Sequence, residues 1–383
     1  MASVAELLEG KRVCICAGSG GVGKTTTSAA IAAGMAARGK KVAVLTIDPA
    51  KRLADSLGLP ELGNTERRVD PALFAEAGVD PGGGELWAMM LDSKQTFDEV
   101  VRKHAPDEET RDRILTNRIY EQLSNALAGS QEYMAMEKLF EIHAEDRYDL
   151  LVLDTPPSRN ALDFLDAPKR LTQFIEGRAL QVFMRPAGLG MKLFGRGTSL
   201  MFSVLRRITG VNLLEDLAEF FQAFSGMVEG FRERARRVNE LLADRRTSFL
   251  VVCAPQGEPI SEAVYFHRKL IEAELPFGGV IVNKVHYGWE FSSDSGELRD
   301  DLVEALGDEH LARRVVENLD DYAALSARDR RNVEHLAAEM RTRAVIQVPY
   351  LDEDVHDLAG LMEINRYLFA SGSEERNRIA ASV

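Results

Sequence analysis

An α/β fold, with a mainly parallel sheet flanked by helices and a helical subdomain inserted into it, is predicted by three observations. Short β-branched apolar runs alternate with stretches of helical periodicity along the 383 residues. The runs are apolar without a break, as strands buried on both faces are. Two long stretches, 93–143 and 161–244, carry helical patterning and no good strand candidate.

Arg12–Ala17 is the first predicted strand, and the Ala-rich run Thr26–Ala37 after it is the first long helix. Val42–Ile47, Leu150–Leu153, Phe249–Cys253 and Val280–Asn283 are further strands, and Ala344–Val348 is a sixth. In such sheets ligands bind at the carboxyl ends of the strands. The whole chain, 1–383, reads as a single domain, with 93–143 and 161–244 as its helical insert. The tail after Leu368 is short and polar, and is expected to fray.

The composition, 45% hydrophobic and 28% charged, is that of a soluble globular protein. A net charge of −13 argues against a nucleic-acid partner, which requires a basic footprint, though it leaves room for one local basic patch. No apolar stretch is long enough to span a bilayer, and the N-terminus lacks the apolar core of a signal peptide. Three cysteines cannot build a disulfide framework, so a cytoplasmic location is expected, with peripheral attachment to the inner membrane as an alternative. Cys14 and Cys16 alternate along a strand and so share a face; two buried thiols explain them better than a metal site.

Gly18-Ser19-Gly20-Gly21-Val22-Gly23-Lys24-Thr25 fits G-x-x-x-x-G-K-[ST], with a strand before it and a helix after it. Glycines let the backbone wrap a phosphate with its N–H groups inward, and the helix N-terminus adds partial positive charge. The expected fold is therefore that of a P-loop NTPase binding ATP and Mg²⁺. Gly18 through Thr26 form the phosphate site, Lys24 reaches the β- and γ-phosphates, and Thr25 ligates the metal. Asp154 ends an apolar strand in Asp154-Thr155-Pro156-Pro157 and is assigned to the Mg²⁺ shell. Asp48, in Asp48-Pro49-Ala50, is assigned to the attacking water. Each aspartate could instead be a helix cap or turn residue, both common after strands.

With the phosphate loop come the segments L-T-I-D-P-A and L-D-T-P-P-S, the run Ala88–Glu99, Gln131–Leu139 and Asp154–Leu171. Together these resemble the ArsA family, which includes arsenite-pump ATPases and the ATPase that guides tail-anchored membrane proteins. They are most similar to its bacterial, anion-transporting-like branch. The resemblance implies a Mg²⁺-dependent ATPase acting as a dimeric switch, with switches running from Asp48 and Asp154. It implies that Asn283 contacts adenine and that Pro349, Tyr350 and Asp352 belong to a loop closing over the base. It further implies a hydrophobic client or membrane partner, bound according to nucleotide state. A nucleotide-gated chaperone with negligible turnover is the alternative.

The sequence departs from the family pattern at three places. Ser19 stands where most relatives carry a lysine that reaches the partner's ATP, and a hydroxyl brings no charge. Another cation substitutes, or hydrolysis is slow, or the partner is a paralogue supplying its own lysine, so a homodimer and a heterodimer with a paralogue both stay open. No cysteine falls in the helical insert, so a thiophilic metalloid has no thiolate triad and arsenite stimulation is not expected. Nor is there a C-x-x-C pair for a shared zinc, or the cysteines an iron–sulfur cluster would need. A chromosome- or division-positioning ATPase is disfavoured by the long insert and the acidic charge.

Between Phe164 and Phe231 lie nine of the 17 phenylalanines and four of the 12 methionines. Within that stretch, Gln181–Gly210 has no acidic residue and carries Arg185, Lys192, Arg196, Arg206 and Arg207. Two readings stand side by side: a bundle core with a basic solvated loop, or a flexible surface for an apolar helix or a membrane.

Overall fold

The computed structural model describes residues 3–47, 52–118, 120–121, 130–155, 167, 213–288 and 295–380. Eight strands form one sheet: β1 Val13–Ala17, β2 Lys41–Thr46, β3 Arg67–Arg68, β4 Glu85–Met90, β5 Leu150–Asp154, β6 Thr247–Cys253, β7 Phe277–Val285 and β8 Val345–Pro349. Their order is β3-β4-β2-β5-β1-β6-β7-β8, and every pairing is parallel except β3 with β4. The chain runs outward from β1 to β2, returns to insert β5 between them, then continues on the other side with β6. The end of β1 is thus the point where strand order reverses, the usual ligand crevice of such sheets.

The described helices are α1 Val4–Leu7, α2 Lys24–Ala36, α3 Arg52–Ser56, α4 Pro71–Glu76, α5 Ser93–His104, α6 Glu108–Leu115 and α7 Ser130–Ala144. They continue with α8 Leu213–Ser225, α9 Val228–Ala243, α10 Gly257–Glu272, α11 Ser295–Leu306, α12 Glu309–Glu339, α13 Leu358–Leu368 and α14 Ser373–Ala380. Alternating strand residues feed two cores. Val13, Ile15, Leu45, Leu151, Phe249 and Val282 face one, shared with α5, α7, α9 and α12. Cys14, Cys16, Val44, Val152, Leu250 and Ile281 face the other, under α2 and α13. This two-sided burial is why the strands read as unbroken apolar runs. Cys14 and Cys16 share a face as predicted, with Sγ atoms 4.0 Å apart.

Helix α2 is buried almost all round, which explains its small residues. A Cβ on Gly34 would stand 2.3 Å from the Phe369 ring, and Arg38 lies over that ring at 3.7 Å. The helix that carries the phosphate loop is therefore wedged between the sheet and α13.

Two sequence expectations are corrected. Strands β3 and β4 were not anticipated: Glu85–Met90 contains no β-branched residue, and Arg67–Arg68 is only two residues long, so neither carries a strand signature. The Gly82–Gly84 turn before β4 was the available signal. The tail is not frayed as far as residue 380. Arg376 is buried in α14 and donates from Nε to the Tyr367 carbonyl at 2.8 Å and from Nη2 to the Ala370 carbonyl at 3.0 Å. A polar helix is held because one arginine caps the carbonyls at the end of α13.

In the insert, α5, α7, α8 and α9 pack together. Phe220, Phe221, Phe224 and Phe231 are all buried in the core, with Phe97–Phe231 and Phe224–Phe231 stacked at 5.8 and 5.1 Å. The buried Glu137 pairs with Arg234 and accepts from the Tyr133 hydroxyl at 3.2 Å. The basic strip Gln181–Gly210 lies outside the described residues.

Candidate functional site

The loop Gly18–Gly23 joins β1 to α2 at the strand-order reversal. Its backbone admits glycine alone at two key points. A Cβ at Gly18 would lie 2.0 Å from the Val252 carbonyl oxygen, and one at Gly23, where φ is +88°, would lie 2.3 Å from Asn283 Nδ2. Lys24 is the first residue of α2 and is buried; its Nζ donates to the Ser19 carbonyl at 2.7 Å, across the mouth of the loop. The Ser19 hydroxyl is buried without a hydrogen-bond partner among the described residues.

Asp154, fully buried at the end of β5, sits beside β1 and β2 in register with Cys16 and Thr46. Its Oδ2 accepts from Thr25 Oγ1 at 2.7 Å and from Thr46 Oγ1 at 2.9 Å, while Ser28 Oγ reaches Oδ1 at 3.5 Å. The sequence reading named Thr25 and Asp154, and the fold joins them. It missed Thr46 and Ser28. Ser28 lies three residues after Thr25 on α2 and so shares its face, a spacing visible in the sequence. Thr46 could be found only from sheet order.

The donors fit magnesium. Mg²⁺ takes hard oxygen ligands, and is commonly held by one or two carboxylates together with substrate phosphates. A hydroxyl and a carboxylate that converge beside the phosphate loop are such a set. Among the described residues no three His, Cys, Asp or Glu side chains gather into a metal cage, so the phosphates would complete the shell.

Asn283 lies at the end of β7, and its Nδ2 donates to the Val22 carbonyl at 2.9 Å. The next residue, Lys284, was not anticipated; its Nζ donates to the Gly21 carbonyl at 3.0 Å. Pro349 pairs with Val285, which puts the loop after β8 beside the end of β7. Tyr350 is 57% exposed and stacks on His286 at 5.7 Å, its backbone N–H bonded to the Val285 carbonyl. His286 is in turn held by Asp329, 2.7 Å from its Nδ1. Asp352 is exposed on the same loop. Asn283 thus touches the phosphate loop, whereas the Tyr350 ring is held by His286. Asp48, with Pro49 and Ala50, lies outside the described residues. A cavity of about 1050 Å³, lined by Tyr287, Arg330, Arg343 and Asn377, opens at the β8 edge and includes none of the phosphate-loop residues.

A family model described as Anion-transporting ATPase matches residues 11–292. The chain belongs to the ArsA ATPase family. The chain is also similar to several proteins named as ATPases. ATPase GET3 of Malassezia globosa is 26% identical over 275 residues, 71% of this chain and 72% of the relative. A putative arsenical pump-driving ATPase 1 of Aquifex aeolicus is 28% identical over 282 residues, 72% of this chain and 63% of the relative's length. The ATPase ASNA1 homolog of Cryptosporidium parvum is 25% identical over 287 residues, covering 73% and 67%. The matched ArsA span takes in the phosphate loop, Asp154 and Asn283, and ends before Pro349–Asp352. No helix among the described residues is long and apolar enough to cross a membrane.

Proposed function

We propose that this ArsA-family member is a Mg²⁺-dependent ATPase that works as a dimeric switch, as a homodimer or with a paralogue. The observation that carries this reading is the Thr25–Asp154 pair at 2.7 Å, set at the N-terminus of α2 beside the buried Lys24. The loop amides and the helix N-terminus bind the triphosphate, and Lys24 exchanges its Ser19 carbonyl for phosphate oxygens. Thr25 and Asp154 hold the metal, and Thr46 and Ser28 orient Asp154. The metal, when bound, neutralises charge on the β- and γ-phosphates. Asp48 orients the attacking water, and Asn283 with the Pro349, Tyr350 and Asp352 loop contacts adenine; both assignments rest on the family resemblance.

The client surface is proposed within the insert. The proposed surface is the basic, Gly-rich strip 181–210, while the described phenylalanines of α8 and α9 are core residues. An apolar helix or a membrane protein is the proposed partner, and arsenite is not.

Calorimetry with ATP and magnesium, followed by steady-state hydrolysis, tests the reading. The expected result is ATP binding and turnover that Lys24→Ala abolishes, with turnover unaffected by arsenite. Wild-type protein that does not bind ATP refutes it. The neutral Ser19 favours a second reading, a nucleotide-gated chaperone, which is supported instead if ATP binds but turnover is negligible even with a paralogue present.

A further inference from the structure

Consecutive residues of a regular strand point to opposite faces. Asn283 and Lys284 do not: both side chains reach the phosphate loop, and they take consecutive carbonyls, Val22 at 2.9 Å and Gly21 at 3.0 Å. The cause is local. The register between β7 and β8 shifts between Val282 and Val285, so β7 carries an extra residue there. Lys284 itself adopts φ +63°, a left-handed conformation that is costly for a side chain with a Cβ. Bulges of this kind re-aim side chains, and they recur beside active sites. Backbone strain held at such a point calls for a compensating role.

A trans peptide supplies that role. Its C=O and N–H point in opposite directions. A donor that fixes the Gly21 carbonyl outward therefore aims the Val22 N–H inward, and one that fixes the Val22 carbonyl aims the Gly23 N–H the same way. An ammonium on the carbonyl also polarises the peptide and strengthens the amide as a donor. We propose that Lys284 is a positioning residue of the phosphate site: delivered by the β7 bulge, it locks the Gly21–Val22 peptide with its amide facing the phosphates. It also adds a fixed positive charge at the rim of a loop whose second residue, Ser19, is neutral. This rests on the nucleotide-binding reading and goes beyond it, since it assigns Lys284 a role toward the phosphate chain and none toward the base.

The test measures ATP and adenosine affinities by calorimetry for wild type, Lys284→Met and Lys284→Arg. Lys284→Met keeps the side chain's length but loses the donor and the charge. Because Lys284 is exposed, its melting temperature without nucleotide should match wild type. The expected result is a loss of ATP affinity of about tenfold or more, from the strength of a charged hydrogen bond, with adenosine affinity unchanged and Lys284→Arg restoring most of the loss. Equal losses for ATP and adenosine, or unchanged ATP affinity in Lys284→Met, would overturn the role of Lys284 while nucleotide binding stands. A wild-type protein that binds neither ligand overturns both.

Discussion

Glu137 and Arg234 join α7 to α9 through a pair that is largely withdrawn from water, with 2% and 16% of their side chains exposed. Replacing Glu137 by Gln keeps the shape and the Tyr133 contact but leaves a guanidinium without its counter-charge. Breaking one side of a buried pair costs about 3–5 kcal/mol. Arg234 keeps some access to solvent and also bonds to His104, so the lower end applies, about 3 kcal/mol. A chain of 383 residues has an unfolding entropy of about 0.8 kcal/mol/K, so the melting temperature should drop by about 4 °C. The companion variant carries Glu137→Leu with Arg234→Met. With both charges gone it should melt close to wild type, because well-packed apolar side chains replace a buried pair with little loss. Calorimetric scans of the three proteins decide the matter. A Glu137→Gln melt within 1 °C of wild type, or a double variant less stable than the single, would refute this account of the pair.

Acidification should destabilise the fold in two windows. Burial first, then the charges of Arg234 and Lys103, lowers His104 below its ordinary value; burial, with Arg246 and Arg12, lowers His143; burial alone lowers His267. Their neutral forms are the folded ones, so this stability is complete above about pH 6.5 and is lost as pH falls through the lowered values. Glu85 is held down by the Trp87 indole N–H against burial, with Lys41 and Arg68 adding to the effect, so its share is lost only at more acidic pH. Denaturation midpoints from pH 8 to pH 2 should show both steps, and a flat profile between pH 7 and 5 would contradict the histidine assignment. The thiols should be inert in the native state: Cys14 is raised by the Cys16 thiol hydrogen-bonded to it and by burial, and Cys253 is pushed up to about 12 by burial. A thiol-labelling reagent at pH 8 should modify none of the three until denaturant is added, and rapid native labelling would contradict their burial. Gly34→Val should cost about 2 kcal/mol through overpacking against Phe369. Gly257→Ala, whose new carbon meets nothing within 4 Å, should stay within about 0.5 kcal/mol; equal losses in both would mean that the wedge plays no part.

How much of this was legible in the sequence depended on how local the cause was. The phosphate loop is a run of eight residues whose chemistry is backbone geometry, so the string itself announced it. Asp154 was readable because an aspartate closing LLVLD breaks an apolar run. Strand β4 was not, because its Trp and Met residues gain strand character only from lying beside β2. Thr46 and Lys284 were hidden for the same reason: one depends on β5 lying between β1 and β2, the other on a bulge that no propensity encodes. The family resemblance reached Asn283, but nothing in the motif pointed to the lysine after it. Arg376 shows the converse error, a polar tail taken for a loose end when one buried side chain secured it.

The wedge of Phe369 against Gly34 also sets a timetable for biogenesis. The helix bearing the nucleotide loop is made well before the aromatic ring that closes its outer side, since about 335 residues separate Gly34 from Phe369. At ribosomal rates of about 5–20 residues per second, that interval is roughly 20–70 s. Throughout it the Ala-rich helix lacks the ring that packs on Gly34, whereas the first strand gains its neighbours β5 and β6 earlier. The outer side of the helix that carries the phosphate loop is thus closed only after all eight strands of the sheet have been made.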